Sequence, residues 1–183
     1  MVAKRCVFVA CHYVGGYAIR EAVSRVNVLI LLGEPFDPYA IDCTVKLNCG
    51  YSRIVAAVGL GDVTGQDLGD LMGCGGMGVA VRSLADLRDV LEGVLVDVAV
   101  LCGVSWPCVF AVVPTLARSG CAVALLVGDQ FPELGDAYRM CDLDDLALRG
   151  GVSIGCYRSV AEICEGIGDL LSAPAGLLPS HLY

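Results

Sequence analysis

Positive charge is scarce in this chain, where 12 lysines and arginines stand against 20 aspartates and glutamates for a formal net charge of −8. Binding to nucleic acid requires a basic footprint that displaces counterions from phosphates. None is visible, and no aromatic residues interleave with cations as they would in a platform for single strands. Nucleic acid is therefore excluded as a partner. The acids gather late in the chain, where Asp129, Glu133, Asp136, Asp142, Asp144 and Asp145 are accompanied only by Arg139.

Paired cysteine motifs are missing as well. The 11 cysteines form no Cys-x-x-Cys, which removes the usual zinc-ribbon and thioredoxin spacings. Cys6, Cys102 and Cys121 lie within or beside apolar strands, and Cys43 and Cys164 fall in helical patterns, as small core hydrophobes do. An odd count without a secretion signal fits a reducing compartment. Met1 to Arg5 and the apolar residues that follow open like a signal peptide, but the run is short, and His12, Arg20 and Glu21 precede any cleavage site. A cytoplasmic location is expected.

No hydrophobic run reaches membrane length without interruption. Residues 98–117 carry no charge, and about 20 apolar residues suffice to span a bilayer as a helix. Gly103, Pro107 and Pro114 break that stretch, so no membrane partner is expected. Linker-like serine, proline or single-charge runs are lacking too, which predicts a single α/β domain over residues 1–171. Residues 172–183 form a tail expected to drape over the surface. The hydrophobic fraction of 56% and mean hydropathy of +0.71 require much apolar surface to be buried or covered by another subunit, and a homo-oligomer is expected.

What the chain does have is a repeated corner. Apolar runs at 28–32, 98–102 and 122–127 end at Gly33-Glu34-Pro35-Phe36-Asp37-Pro38, Gly103-Val104-Ser105-Trp106-Pro107 and Gly128-Asp129-Gln130-Phe131-Pro132. Each reads as a buried strand, a glycine exit, an aromatic and a proline that opens a helix, because the amide proline lacks would be unbonded in the first helical turn. The same patterns place strands at 6–10, 27–32, 54–58, 79–81, 96–102, 121–127 and 152–156. Helices are expected at 16–25, from Pro38 to the stop at Gly50, at 66–72, at 84–91 behind an N-cap at Ser83, at 107–118, over the acidic stretch, and at 159–171. Leu47 should face inward on the second of these helices, and Leu84, Leu87, Val90 and Leu91 on the helix after Ser83. The alternation predicts a three-layer, doubly wound, mainly parallel sheet of six or seven strands, Rossmann-like or flavodoxin-like.

Open sheets of this kind bind ligands outside the carboxyl ends of their strands. His12, Glu34, Asp62, Ser105 and Asp129 each close or follow a strand and should share that edge. His12 is one of 2 histidines, and its ordinary pKa suits acid–base work near neutrality. Gly59-Leu60-Gly61-Asp62-Val63-Thr64-Gly65 follows a strand, and the amides around Gly59 and Gly61 could form a phosphate nest; without an adjacent lysine it is no P-loop. Gly73-Cys74-Gly75-Gly76-Met77-Gly78 spells Gly-x-Gly-x-x-Gly but follows no strand, and reads as a loop whose glycines permit positive φ. Cys11, Cys102 and Cys108 offer a thiol nucleophile to pair with His12. Asp142-Leu143-Asp144-Asp145 should begin a helix. The carboxylates lack local ligand spacing, so no metal is expected.

Val9-Ala10-Cys11-His12-Tyr13-Val14-Gly15-Gly16 occupies the strand-to-helix position of a dinucleotide fingerprint, and Glu34 closes the next strand, where such folds place a ribose-binding acid. Aligned by its Tyr-Val-Gly, the segment resembles the opening of Rossmann-type dinucleotide-binding proteins. Gly15 matches one fingerprint glycine, whereas Ala10 and His12 replace the other two. The resemblance implies NAD or NADP as cofactor, with Gly15 and Gly16 beside the pyrophosphate and Glu34 at the ribose. Together these features lead to the expectation of a nucleotide- or phosphometabolite-binding protein with its site at the carboxyl edge, and of a small enzyme using His12. The alternative is a non-catalytic ligand-sensing or assembly subunit of a homo-oligomer.

Overall fold

The computed structural model describes residues 25–33, 47, 52–60, 77–127 and 137–178. Within them β1 (Val26–Leu32), β2 (Ser52–Leu60), β3 (Met77–Val81), β4 (Val98–Cys102), β5 (Ala122–Leu126), β6 (Ser153–Tyr157) and β7 (Gly176–Leu177) form one sheet. Its order is β3-β2-β1-β4-β5-β6-β7, and every neighbouring pair is parallel. The crossovers include α1 (Leu84–Gly93), α2 (Trp106–Arg118), α3 (Ala137–Gly150) and α4 (Val160–Ser172). The expected strand at 6–10 and the expected helices at 16–25, 38–49 and 66–72 lie outside the described residues, apart from Leu47, which is helical and buried, and Arg25.

Strands buried on both faces need apolar side chains at every position, and β1 meets that demand with a run in which Val28 to Leu32 are all buried. Alternation divides them. Val28, Ile30 and Leu32 join Leu47 and the α4 residues Val160, Ile163, Ile167 and Leu170 in one core. Leu29 and Leu31 join Leu87 and Leu91 of α1, Val112, Val113 and Leu116 of α2, and Leu143 and Ala147 of α3 in the other. The result is three layers, with α1, α2 and α3 on one face and α4 on the other. Each fully buried leucine or isoleucine contributes about 1.5–3 kcal/mol.

Strand β2 departs from simple alternation. Val28 pairs with Ile54 but Leu29 pairs with Ala56, so Val55 is an extra residue. The shift sends Ile54 to the α4 side and Ala56 and Val58 to the opposite core, as a bulge must when the side-chain period is two.

Local chemistry sets the helix ends. The Ser83 side chain accepts from the Asp86 amide at 3.2 Å while the Asp86 carboxylate accepts from the Ser83 amide at 3.1 Å, a reciprocal capping box. Ser159 caps α4 with its side chain, accepting from the Glu162 amide at 3.2 Å, while the Glu162 carboxylate accepts from the Arg158 amide instead of that of Ser159. Leu87 and Leu91 are buried as expected and Val90 is half-buried, but Leu84, at the first helical position, falls beyond the core contacts and is exposed. Helix α2 runs through Pro114. It stops at Gly120 (φ 74°), where Cys121 donates to the Leu116 carbonyl and Gly120 to that of Ala117, the double closure of a Schellman turn.

Two sequence expectations are corrected here, while the fate of the uncharged stretch is as expected. The uncharged stretch 98–117 divides between β4 and α2, and among the described residues no helix is long and apolar enough to cross a membrane. The acidic run 142–145 lies within α3 rather than at its start: Leu143 is buried, Asp145 pairs with Arg149 at 2.8 Å, and Asp144 accepts from the Leu177 amide at 2.7 Å. That last bond belongs to the second correction. The segment expected to drape over the surface supplies β7, whose Gly176 donates to Val152 at 3.0 Å. Leu178, just beyond it, donates to Ile154 at 2.7 Å. Gly176 has φ 142°, backbone that favours glycine.

Candidate functional site

Because all the strands are parallel, the residues that follow them, Gly33, Arg82, Gly103, Val127 and Arg158, share the carboxyl edge. From β1 the order runs outward to β3, and the chain then re-enters on β1's other side as β4. Strand order reverses between β1 and β4, the place where an open α/β sheet forms a crevice for ligands.

The backbone is tight at that point. Gly33 donates to the Cys102 carbonyl at 3.0 Å, extending the β1–β4 ladder by one residue. A β-carbon on Gly33 would press on the Gly103 carbonyl and stand 2.8 Å from the Val104 α-carbon. Glycine is required at 33 for space, and Gly103 (φ 62°) then turns the chain toward α2.

Ser105 is the N-cap of α2, with Trp106 first and Pro107 second in the helix, so proline sits one position later than the sequence suggests. Unlike Ser83 and Ser159, Ser105 makes no side-chain cap and is exposed. The amino end of this 13-residue helix, where the macrodipole is positive, therefore opens at the reversal point without a cap from the Ser105 side chain. Trp106 and Phe110 stack one turn apart, with ring centroids 6.2 Å apart and tilted by 33°. With Val104, Val127 and Met140 they pack against the core on the α2 side and give this end of the layer an apolar wall.

Of the other candidates, Gly59 lies within β2, in register with Leu32 and Ala80, because that strand runs past the expected end at Val58. Cys102 is only 4% exposed and its side chain belongs to the α4-side core, which removes it as an accessible nucleophile. Cys108 is half-buried in the first turn of α2. His12, Cys11, Gly15, Gly16, Glu34, Gly61, Asp62 and Asp129 lie outside the described residues. Met77 and Gly78, which end the literal glycine motif, belong to β3, so that run enters a strand instead of opening a helix.

Two edge cations escaped the sequence reading. Arg82 and Arg158 are exposed, and their amides are fixed by Asp86 at 3.1 Å and Glu162 at 2.7 Å. Their signal was position, since each is the first residue after a strand. Tyr157 also closes a strand, but its ring turns inward, and β-carbons on Gly155 and Gly166 would stand 2.7 and 2.9 Å from it. Burial, with the negative charges of Asp169 and Cys156, pushes its phenol up to about 12. It is no acid or base near neutrality. Among the described residues no group of three His, Cys, Asp or Glu side chains could hold a metal ion.

No protein-family model matches this sequence, and no curated protein matches it.

Proposed function

We propose that this protein binds a nucleotide or another phosphorylated small molecule at the carboxyl edge of its sheet. One observation carries the proposal: strand order reverses between β1 and β4, and the helix that opens there leaves its N-cap Ser105 unused as a cap. A phosphate at this point would be met by the amino end of α2 and the Ser105 hydroxyl. The base or sugar would lie against the wall around Trp106 and Phe110. Glu34, Asp62 and Asp129 follow β1, β2 and β5 in sequence and complete the polar set, and the amides from Gly61 onward, beyond the end of β2, are a second phosphate holder. In the dinucleotide form of this function the ligand is NAD or NADP, held by Gly15, Gly16 and Glu34, and His12 is the acid or base of an enzymatic step.

A second function, as an assembly subunit of a cytoplasmic homo-oligomer, draws on α2. That helix carries no charge before Arg118, and Pro107 and Ala111 are exposed on it. Free thiols at Cys108, Cys141 and Cys156 suit a reducing compartment.

Calorimetric titration of the purified chain with AMP, ATP and NAD separates the two. The binding function predicts one saturable site, several-fold weaker in Ser105→Ala and His12→Ala at unchanged melting temperature. Absence of binding to all three at millimolar concentration, together with a concentration-dependent dimer in sedimentation, would replace it by the assembly function.

A further inference from the structure

At the opposite, amino edge of the sheet, the last turns of α1 and α2 face each other. Arg88, Leu91 and Glu92 on α1, and Thr115, Arg118 and Ser119 on α2, are each spaced i, i+3, i+4 and so share one face of their helix. Between them lies a groove of about 340 Å³.

Three features of this groove lack a structural purpose. Neither the Arg88 nor the Arg118 guanidinium makes an ion pair or hydrogen bond among the described residues. Arg118 is not needed to satisfy the end of α2, because the amides of Ser119, Gly120 and Cys121 already bond the carbonyls of Thr115, Leu116 and Ala117. Thr115 is 5% exposed, yet its hydroxyl has no partner among the described residues, while Ser119 donates its own hydroxyl to the Thr115 carbonyl at 3.3 Å. A buried hydroxyl without a hydrogen bond carries a desolvation penalty, and two like charges at one groove repel each other. A bound oxyanion would relieve both.

We propose that this groove is a second ligand site, independent of the one at the carboxyl edge, for a small organic oxyanion: a carboxylate or phosphate on a short carbon skeleton. The two guanidiniums hold the oxyanion by charge-assisted hydrogen bonds, and the Thr115 hydroxyl donates a further one. Leu91 meets the carbon skeleton, and Glu92 accepts from a hydroxyl or ammonium group on it. The two cations outnumber that single acid, so an anion is favoured although the whole chain is acidic.

The test is nuclear magnetic resonance of the full isotope-labelled chain, titrated with sodium phosphate and separately with sodium acetate at constant ionic strength. Saturating shifts of the Arg88 and Arg118 Nε–H and of the Thr115 amide are expected, and the anion that binds tighter identifies the headgroup. Arg118→Gln and Arg88→Gln, both at exposed positions, should each weaken binding about tenfold or more. Thr115→Val keeps the side-chain shape, and should weaken binding several-fold while leaving the melting temperature of the unliganded chain unchanged or higher. Linear shifts with both anions, shifts unaltered in both arginine variants, or a Thr115→Val chain that melts lower would overturn the proposal.

Discussion

Replacing Gly33 by alanine tests the tight junction between β1 and β4 directly. The added methyl carbon would stand 2.8 Å from the Val104 α-carbon and closer still to the Gly103 carbonyl. Both obstacles are backbone, so no rotamer change can relieve them, and one strand end must move. Overpacking of this kind costs about 1–3 kcal/mol, and a backbone obstacle places Gly33→Ala at the upper end. In a chain of this size each kcal/mol moves the melting temperature by about 2–4 °C, so a loss of roughly 6–12 °C is expected. Gly93→Ala is the control, because a β-carbon there meets nothing within 4 Å and alanine is the better helix former, by up to about 1 kcal/mol. The same substitution should therefore lower stability at 33 and leave or raise it at 93. Urea denaturation of both variants reads the difference, and a Gly33→Ala midpoint equal to wild type would refute the close approach.

Helix capping gives a second set of outcomes. Ser83→Ala and Ser159→Ala should each cost about 1 kcal/mol, whereas Ser105→Ala, which removes no cap, should stay within about 0.5 kcal/mol of wild type; chemical denaturation distinguishes them. Truncation of the Asp144 carboxylate, which accepts from the Leu177 amide at 2.7 Å, should cost about 1–3 kcal/mol and speed hydrogen exchange at 176–178 before it affects β1. Burial pushes the Cys156 thiol up to about 12, so alkylation followed by mass measurement should label exposed Cys141 in the native chain and Cys156 only after unfolding. Tyr157 holds its proton to about pH 12 in the fold against 10.0 ordinarily. The folded chain therefore binds more protons than the unfolded one across that window, and stability should fall as pH rises from about 10 to 12. A Tyr157→Phe variant that loses stability as steeply as wild type over that range would remove this contribution.

Much of the fold was legible because it is written in neighbouring residues. The run of β1, the Ser83 cap, the corner Gly103-Val104-Ser105-Trp106-Pro107 and the stop after Arg118 each depend on residues within a turn or two, and local conformational preference acts over that distance. Leu47 could be placed inside from helical spacing alone. Leu84 could not be placed outside in the same way, since spacing states which residues share a face but not how far the core extends beneath it.

Of the candidate site, the sequence located the edge and the serine that opens α2, but left Arg82 and Arg158 unnoticed. It could not show that Ser105 would go unused as a cap. By itself it determined the class of the molecule, because alternating buried strands and amphipathic helices can close a core only as layers. Tertiary structure alone decided the strand order, the extra residue at Val55, the recruitment of residues 176–177 as β7, and the meeting of Gly33 with Gly103. Buried parallel strands carry nearly interchangeable apolar runs, so no local pattern specifies which strand lies beside which. That choice is made when whole faces pack, and it sets the point of reversal on which the proposed ligand site depends.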